Sequence, residues 1–313
     1  MSRVRKLDRD FTQADIAAVT SLLDQLTDED VMARFSLESR LGELQAALAR
    51  MEEEPDLPGA SAALFFGGRP VVGTRGIETE FGGSAVAKFQ DIIAKVMAHE
   101  AGRLGQRGVV PNKGASSLHI TNVVRGSFGF LLEEIHDQTE MLDAPLKHAV
   151  EETSRMLSAF GEPDEEKYRT AVEDIDQRVL STAREFFDLM KSNGATLRVV
   201  AGDRDNSFGP DAVSRAAERA QSTSVEEGDE SIHGQLSGTL PDAHQFEFRR
   251  QADGVAIRGK IAKSYTAEEL LRFNREFVNR DAIAKVRVVR VRRNGEVVRE
   301  KYTLLELEMM GIE

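Results

Sequence analysis

The chain of 313 residues lacks cysteine and contains no run of 18 apolar residues. Without thiols it has no disulfide framework, thiolate nucleophile or cysteine-built zinc or iron–sulfur site. Without a long apolar run it has no membrane-spanning helix, so we expect no membrane insertion. Residues 1–10 are charged and lack the apolar stretch of a signal peptide. These absences predict a cytoplasmic protein.

Signatures of known catalytic chemistry are also missing. The six histidines are scattered and show no spacing typical of metal ligands. The chain has no phosphate-binding P-loop and no Gly-x-Ser-x-Gly nucleophile elbow. We therefore expect no metal and no cofactor, and we assign no catalytic residue.

The charge balance is acidic, with 53 Asp and Glu against 41 Lys and Arg and a net charge of −12. A chain this acidic is a poor candidate for wrapping duplex DNA, although one basic patch remains compatible with it. The hydrophobic fraction of 41% is that of a globular protein, and the length predicts two or three domains.

The pattern of residues 1–57 predicts an N-terminal helical segment. Residues 12–25 form one expected helix, with Thr12 as its N-cap. A second helix over residues 36–54 carries a heptad seam at Leu37, Leu41, Leu44, Leu48 and Met51. The seam has two interpretations: it packs on its own domain, or it pairs with another subunit.

Residues 58–221 predict a small α/β sandwich with helices on one face, followed by a helical middle segment. Strands are expected at 60–66, 118–124 and 127–133, with a helix beginning at Ser84 between them. Helices over 144–160 and 164–191, a strand at 196–200 and a helix over 211–221 complete this region.

The acidic stretch 222–230 is interpreted as a linker, and 231–313 as a small SH3-like or OB-like β-barrel. Five strands are expected there, at about 231–238, 244–250, 254–262, 283–293 and 296–308, with a helix over 266–278. Asn294-Gly295 between two β-branched runs predicts a type I′ hairpin. This tail carries 15 Lys and Arg against 12 Asp and Glu. The predicted fold class is therefore α+β.

Four residues of the α/β region are candidate ligand contacts. Arg75 and Glu78 lie in the glycine-rich stretch 69–83, Lys113 in a loop, and Arg125 in a turn. The glycines would let a backbone approach a ligand, but they are equally compatible with simple turns between solvated charges.

The basic strand 285–293 is the candidate nucleic-acid contact. A bulge expected at Val288-Val289 places Lys285, Arg287, Arg290 and Arg292 on one outer face. This ladder suits contact with phosphates, or it forms a solvated face beside Glu296, Glu300 and Glu306. Tyr302 is the only aromatic residue nearby for base stacking.

Short motifs of this chain resemble uncharacterised bacterial proteins, some of them encoded near antiphage-defence genes. The resemblance is carried by the strand–helix–strand order of 60–133 with its Arg125-Gly-Ser-Phe128 turn. It is also carried by 238–248, by Ile257-Arg-Gly-Lys-Ile261 and by Tyr302-Thr-Leu-Leu305, which resemble the small β-barrel ending several such proteins. The resemblance implies a bacterial cytoplasmic context and brings no catalytic residue with it.

Three function hypotheses follow. The first is a non-catalytic oligomeric binding or assembly subunit, which associates with itself or with a protein partner, in a system such as antiphage defence. The second is a nucleic-acid sensor that uses the C-terminal barrel. The third is a metal-dependent hydrolase or nuclease that uses Asp203 and Asp205 or the Arg75–Glu80 loop.

Overall fold

The structure, a computed structural model of the chain, describes residues 4–27, 29–53, 59–102, 104–105, 107–124, 128–135, 145–172 and 175–310. The chain divides into two compact units, Met1–Ala171 with Arg178–Ala220 and Val172–Gln177 with Gln221–Glu313. The predicted α+β class is confirmed.

The first unit is built around a five-stranded antiparallel sheet with the order β4-β5-β1-β6-β7. Its strands are β1 (Ser61–Gly68), β4 (His119–Val124), β5 (Phe128–Glu133), β6 (Ala195–Ala201) and β7 (Arg204–Phe208), and a short ribbon pairs β2 (Val71–Val72) with β3 (Gly76–Ile77). Its helices are α1 (Arg5–Asp24), α2 (Val31–Glu53), α3 (Thr79–Glu100), α4 (Pro145–Gly161), α5 (Glu165–Val172), α6 (Gln177–Ser192) and α7 (Pro210–Ser222).

Helices cover both faces of this sheet, so the one-face prediction is wrong. Neighbouring residues of a strand point to opposite faces, and Phe65 and Phe66 of β1 are both buried. Phe66 stacks edge-on against Phe81 of α3, whereas Phe65 packs with Val4 and Leu7 at the start of α1. The second apolar layer explains why β1 is buried over nearly its whole length.

Helix starts and one strand differ from the sequence predictions. α1 begins at Arg5, and Thr12 is no N-cap because its hydroxyl donates to the carbonyl of Asp8 within the helix. α3 begins at Thr79 rather than Ser84. The Asp-rich stretch after β6 forms β7, whose Asp205 pairs with Val200 across the sheet.

The heptad seam packs within its own chain. α1 and α2 form an antiparallel hairpin, in which Val19 of α1 and Leu44 of α2 are buried. Leu44 is the one side chain of α2 that is classed as buried, and the other seam residues are half-buried. This packing agrees with the first interpretation, in which the seam packs on its own domain.

The second unit is a ring of five strands with one helix. The strands are β8 (Thr223–Leu240), β9 (Gln245–Arg250), β10 (Ala256–Ile261), β11 (Asp281–Arg293) and β12 (Glu296–Met309), with α8 (Ala267–Phe277) between β10 and β11. β8, β9 and β10 are joined by hairpins, and β11 returns to lie beside β8, which is a Greek key. β12 then closes the ring between β11 and β10.

The acidic linker prediction is wrong, because residues 223–230 form the first half of β8. This half pairs with β11 over its whole length, from Thr223 opposite Arg293 to Glu230 opposite Val286. The type I′ prediction agrees with positive φ at both Asn294 (49°) and Gly295 (85°).

The helix α8 closes one end of the ring. A capping box between Thr266 and Glu269 starts it, and its buried face adds Leu270 and Phe273 to the core inside the ring. The Asn274 side chain accepts from the backbone amide of Thr239 (2.7 Å) and donates to the carbonyl of the same residue (3.0 Å). The side-chain amide of Asn274 therefore hydrogen-bonds to the backbone at the end of β8, as a neighbouring strand would.

Candidate functional site

The side-chain contacts of the first unit do not bring its predicted ligand-binding residues together into one site. Arg75 and Glu78 are exposed around the β2–β3 ribbon and the start of α3. Lys113 lies in a short 3-10 turn, where its ammonium is 2.9 Å from the carboxylate of Asp91. Arg125 lies outside the described residues.

Asp203 and Asp205, the carboxylates of the hydrolase hypothesis, are held in ion pairs. Arg198 donates two hydrogen bonds to Asp205, of 2.8 and 2.6 Å, and Arg9 is 2.7 Å from Asp203. The hydrogen bond from Arg198 lowers the pKa of Asp205. Within the described residues, no group of three or more histidine and carboxylate side chains is placed to hold a metal ion.

The basic ladder of β11 is paired with carboxylates from both neighbouring strands. Lys285 contacts Glu306 at 2.9 Å, and Arg287 contacts Asp229 at 2.9 Å. The remaining carboxylate contacts of the ladder are Lys285–Glu308, Arg287–Glu227, Arg290–Glu230, Arg290–Glu300 and Arg292–Glu226. The hydrogen bonds that Lys285 and Arg290 donate to these carboxylates raise the pKa of both cations.

The electrostatic balance of the ion pairs along β11 is negative. Four cations meet seven carboxylates there, which leaves a surplus of three negative charges that repels a phosphate backbone. The bulge predicted at Val288-Val289 is absent, so Lys285 and Arg287 lie on one face of β11 and Arg290 and Arg292 on the other. The prediction that all four share one outer face is therefore wrong. β11 pairs with β8 in one register, and the irregularities lie against β12, where Leu305 and Val298 are the extra residues.

A different face of the ring carries a groove of about 990 Å³. It is lined by the last residues of β8, by β9 and β10, by Val289 of β11 and by residues 299–303 of β12. β10 and β12 run parallel and pair at only two positions, Lys260 with Thr303 and Ile261 with Leu304. Arg258 and Gly259 of β10 are not paired with residues of β12, and both line the groove.

The charge of this groove is positive. Four cationic side chains line it, namely Arg258, Lys260, Arg299 and Lys301, against the two carboxylates of Glu247 and Glu300. Both carboxylates are already engaged, Glu247 with Arg258 at 2.6 Å and Glu300 with Arg290 at 2.7 Å. No ion pair of the exposed Lys260 occurs among the described residues.

The floor of the groove combines two aromatic residues, Phe246 and Tyr302, with glycine backbone. Tyr302 is half-buried, and its hydroxyl donates to Glu300 at 2.7 Å. Burial, and then this hydrogen bond, raise the pKa of Tyr302 to about 12, so its hydroxyl stays protonated. Gly238 also lines the groove, and an added Cβ there would meet only Asn274 Oδ1 at 3.9 Å, so its backbone is accessible to a bound chain.

Sequence reasoning missed this groove because its cations come from two strands some 40 residues apart. Arg258 and Lys260 alternate on β10, and Arg299 and Lys301 alternate on β12. The available signal was this alternation of basic residues on two strands that close a ring. β11 was predicted as the nucleic-acid contact instead, because it carries more basic residues.

In the described part of the chain, no helix is long and apolar enough to cross a membrane. Comparisons with protein-family models, with curated proteins and with solved structures found no match to this chain.

Proposed function

We propose that the second unit is an OB-like small barrel that binds single-stranded nucleic acid in the groove of β9, β10 and β12. The observation that carries this proposal is the separation of charge on the ring. The groove has a surplus of two positive charges, whereas the face of β11 that carries Lys285 and Arg287 has a surplus of two negative charges. A polyanion is attracted to the first face and repelled from the second.

The order of the strands supports the OB-like assignment over the SH3-like alternative. OB folds are five-stranded Greek-key barrels that bind oligonucleotides or oligosaccharides on the face of their second and third strands. β9 and β10 are the second and third strands of this ring, and they line the groove.

The composition of the groove favours a single strand and backbone contacts. Four cations can neutralise at most four phosphates, and Tyr302 offers one ring face for a base. Single strands expose their bases for stacking, whereas a duplex hides them. We therefore expect moderate affinity with little sequence preference.

Fluorescence anisotropy with labelled oligo-dT, oligo-rU and a duplex of equal length tests this proposal. We expect the single strands to bind more tightly than the duplex, and Lys260→Glu to weaken binding at least about tenfold. Arg275→Glu on α8 makes the same charge change outside the groove and should leave binding unchanged. Equal loss in both variants would show that only net charge matters, and binding of a neutral oligosaccharide alone would replace nucleic acid as the ligand.

A further inference from the structure

The α1–α2 hairpin exposes large apolar side chains at its tip, beyond anything the nucleic-acid proposal uses. The exposed fractions are 66% for Val31, 81% for Met32, 71% for Phe35 and 50% for Leu22. All four lie in the last turn of α1 or the first turns of α2. Single exposed apolar residues are normal, but a cluster of this size at one place marks an interaction surface.

This cluster begins an uncharged face that runs along α2 from Met32 to Ala49 and ends at Glu53. Residues spaced by three and four lie on one side of a helix, and the face continues in the order Met32, Phe35, Ser39, Gly42, Ala46 and Ala49, all exposed. The seam that faces α1 lies on the opposite side, at Leu37, Leu41, Leu44, Leu48 and Met51. In a two-helix hairpin, the side of a helix opposite the seam is ordinarily charged and solvated. Two opposite faces of α2 therefore carry apolar or small side chains, and the helix is only weakly amphipathic.

We infer that this face of α2 is the docking surface for the hairpin of a second copy of the same chain. Two packed hairpins form a four-helix arrangement, in which each copy of α2 gains a second helical neighbour. The side chains exposed at the tip offer about 500 Å² of apolar surface per copy. Two copies together then reach about 1,000 Å², the lower limit for a specific interface.

The placement of charge favours a second copy over a lipid surface. An isologous contact sets a surface against itself, so a face without charges meets no like charge across the two-fold axis. Glu38 and Glu43 lie outside the uncharged face, and Asp24, Glu29 and Asp30 surround the tip. These carboxylates are repelled by anionic lipid headgroups.

Hydrogen bonds tie Leu26 and Thr27 to residues at the start of α2. Thr27 donates to the carboxylate of Asp30 from its backbone amide (3.0 Å) and from its hydroxyl (2.8 Å). These side-chain and backbone hydrogen bonds lower the pKa of Asp30. Arg34 donates to the carbonyl of Leu26, which ties the start of α2 to the turn. Residues that are already held in place lose less conformational entropy when the surface docks.

Light scattering on the full chain after size exclusion, at micromolar concentrations, tests this inference. We expect twice the chain mass of 34.6 kDa for the natural sequence and a single chain mass for a Met32→Ser, Phe35→Ser double variant. Val109→Ser is the matched control, because Val109 is 89% exposed outside the hairpin and should leave the dimer intact. Circular dichroism checks that each variant is folded.

A single chain mass for the natural sequence, or a dimer that persists in the folded double variant, would overturn the inference. The absence of cysteine allows a second measurement, since Ala46→Cys creates one defined thiol. A short bifunctional thiol reagent should link two Ala46→Cys chains and should leave Val109→Cys chains single. Oligonucleotide affinity per chain should be equal in the natural sequence and in the double variant. The dimer inference can therefore be wrong while the groove proposal is right, and the reverse is also possible.

Discussion

Gly259 of β10 approaches the carbonyl oxygen of Tyr302 on β12 so closely that an added Cβ atom would lie 2.2 Å from that oxygen. The same Cβ would lie 2.8 Å from the ring of Phe246. β10 and β12 pair at only two positions beside this contact. The missing side chain of Gly259 therefore lets the two strands approach and the ring close.

Gly259→Ala should destabilise the ring, because the obstacle is backbone and cannot rotate away. We expect a loss of about 2 kcal/mol or more in the free energy of unfolding, measured by guanidinium titration. Gly228→Ala is the matched control on β8, where an added Cβ meets no atom within 4 Å. Equal stability of the two variants would mean that the seam between β10 and β12 adapts at no cost.

The carboxylates opposite β11 should make the ring sensitive to acid. Hydrogen bonds from Arg287 and Arg290 lower the pKa of Asp229 and of Glu230 from their ordinary values of 3.8 and 4.5. A group with a lowered folded-state pKa stabilises the protein above its ordinary pKa, and this contribution is lost as the pH falls below that value. We therefore expect full stability above about pH 5 and a progressive decline below it.

Thermal unfolding between pH 7 and pH 3 measures this decline. Each pair is well exposed to solvent and contributes less than about 1 kcal/mol, so the effect is the sum over the ladder. Arg290→Gln leaves Glu230 and Glu300 without their shared cation, and it should flatten the pH dependence as well as lower the stability at pH 7. An unchanged pH profile in this variant would show that the ladder does not stabilise the ring.

Leu44→Glu should destabilise the α1–α2 hairpin, because Leu44 is the buried centre of the seam between the two helices. Placing an unpaired charge there should cost about 2–4 kcal/mol and increase hydrogen exchange throughout both helices. Glu43→Gln, at the exposed neighbouring position, should leave exchange unchanged. Protection equal to that of the natural sequence in Leu44→Glu would mean that the helices separate in solution.

Local patterns were sufficient to predict most elements of the second unit. β-branched alternation placed β11 and β12 within two residues, and Asn294-Gly295 marked the turn between them. These signals lie within a few residues of each other and need no distant partner.

The errors arose where a distant partner decides the structure. Residues 223–230 have the composition of a loop, but Glu226 meets Arg292 and Glu230 meets Arg290 across about 60 residues of sequence. The acidic stretch and the basic strand were interpreted separately, as a linker and as a phosphate contact, although each neutralises the other. Likewise, the Asp-rich stretch contains β7, in which Asp205 accepts a hydrogen bond from Arg198 of the neighbouring strand β6.

The salt dependence of oligonucleotide binding tests the central claim, that the groove of β9, β10 and β12 holds the phosphate backbone. Four neutralised phosphates of a single strand predict a slope of about −3 for the logarithm of the association constant against that of salt concentration. A Lys260→Gln, Lys301→Gln double variant should reduce the slope to about −1.5, whereas the Arg275→Gln control should keep the full slope. A slope that is the same in the groove variant as in the natural sequence would contradict the account.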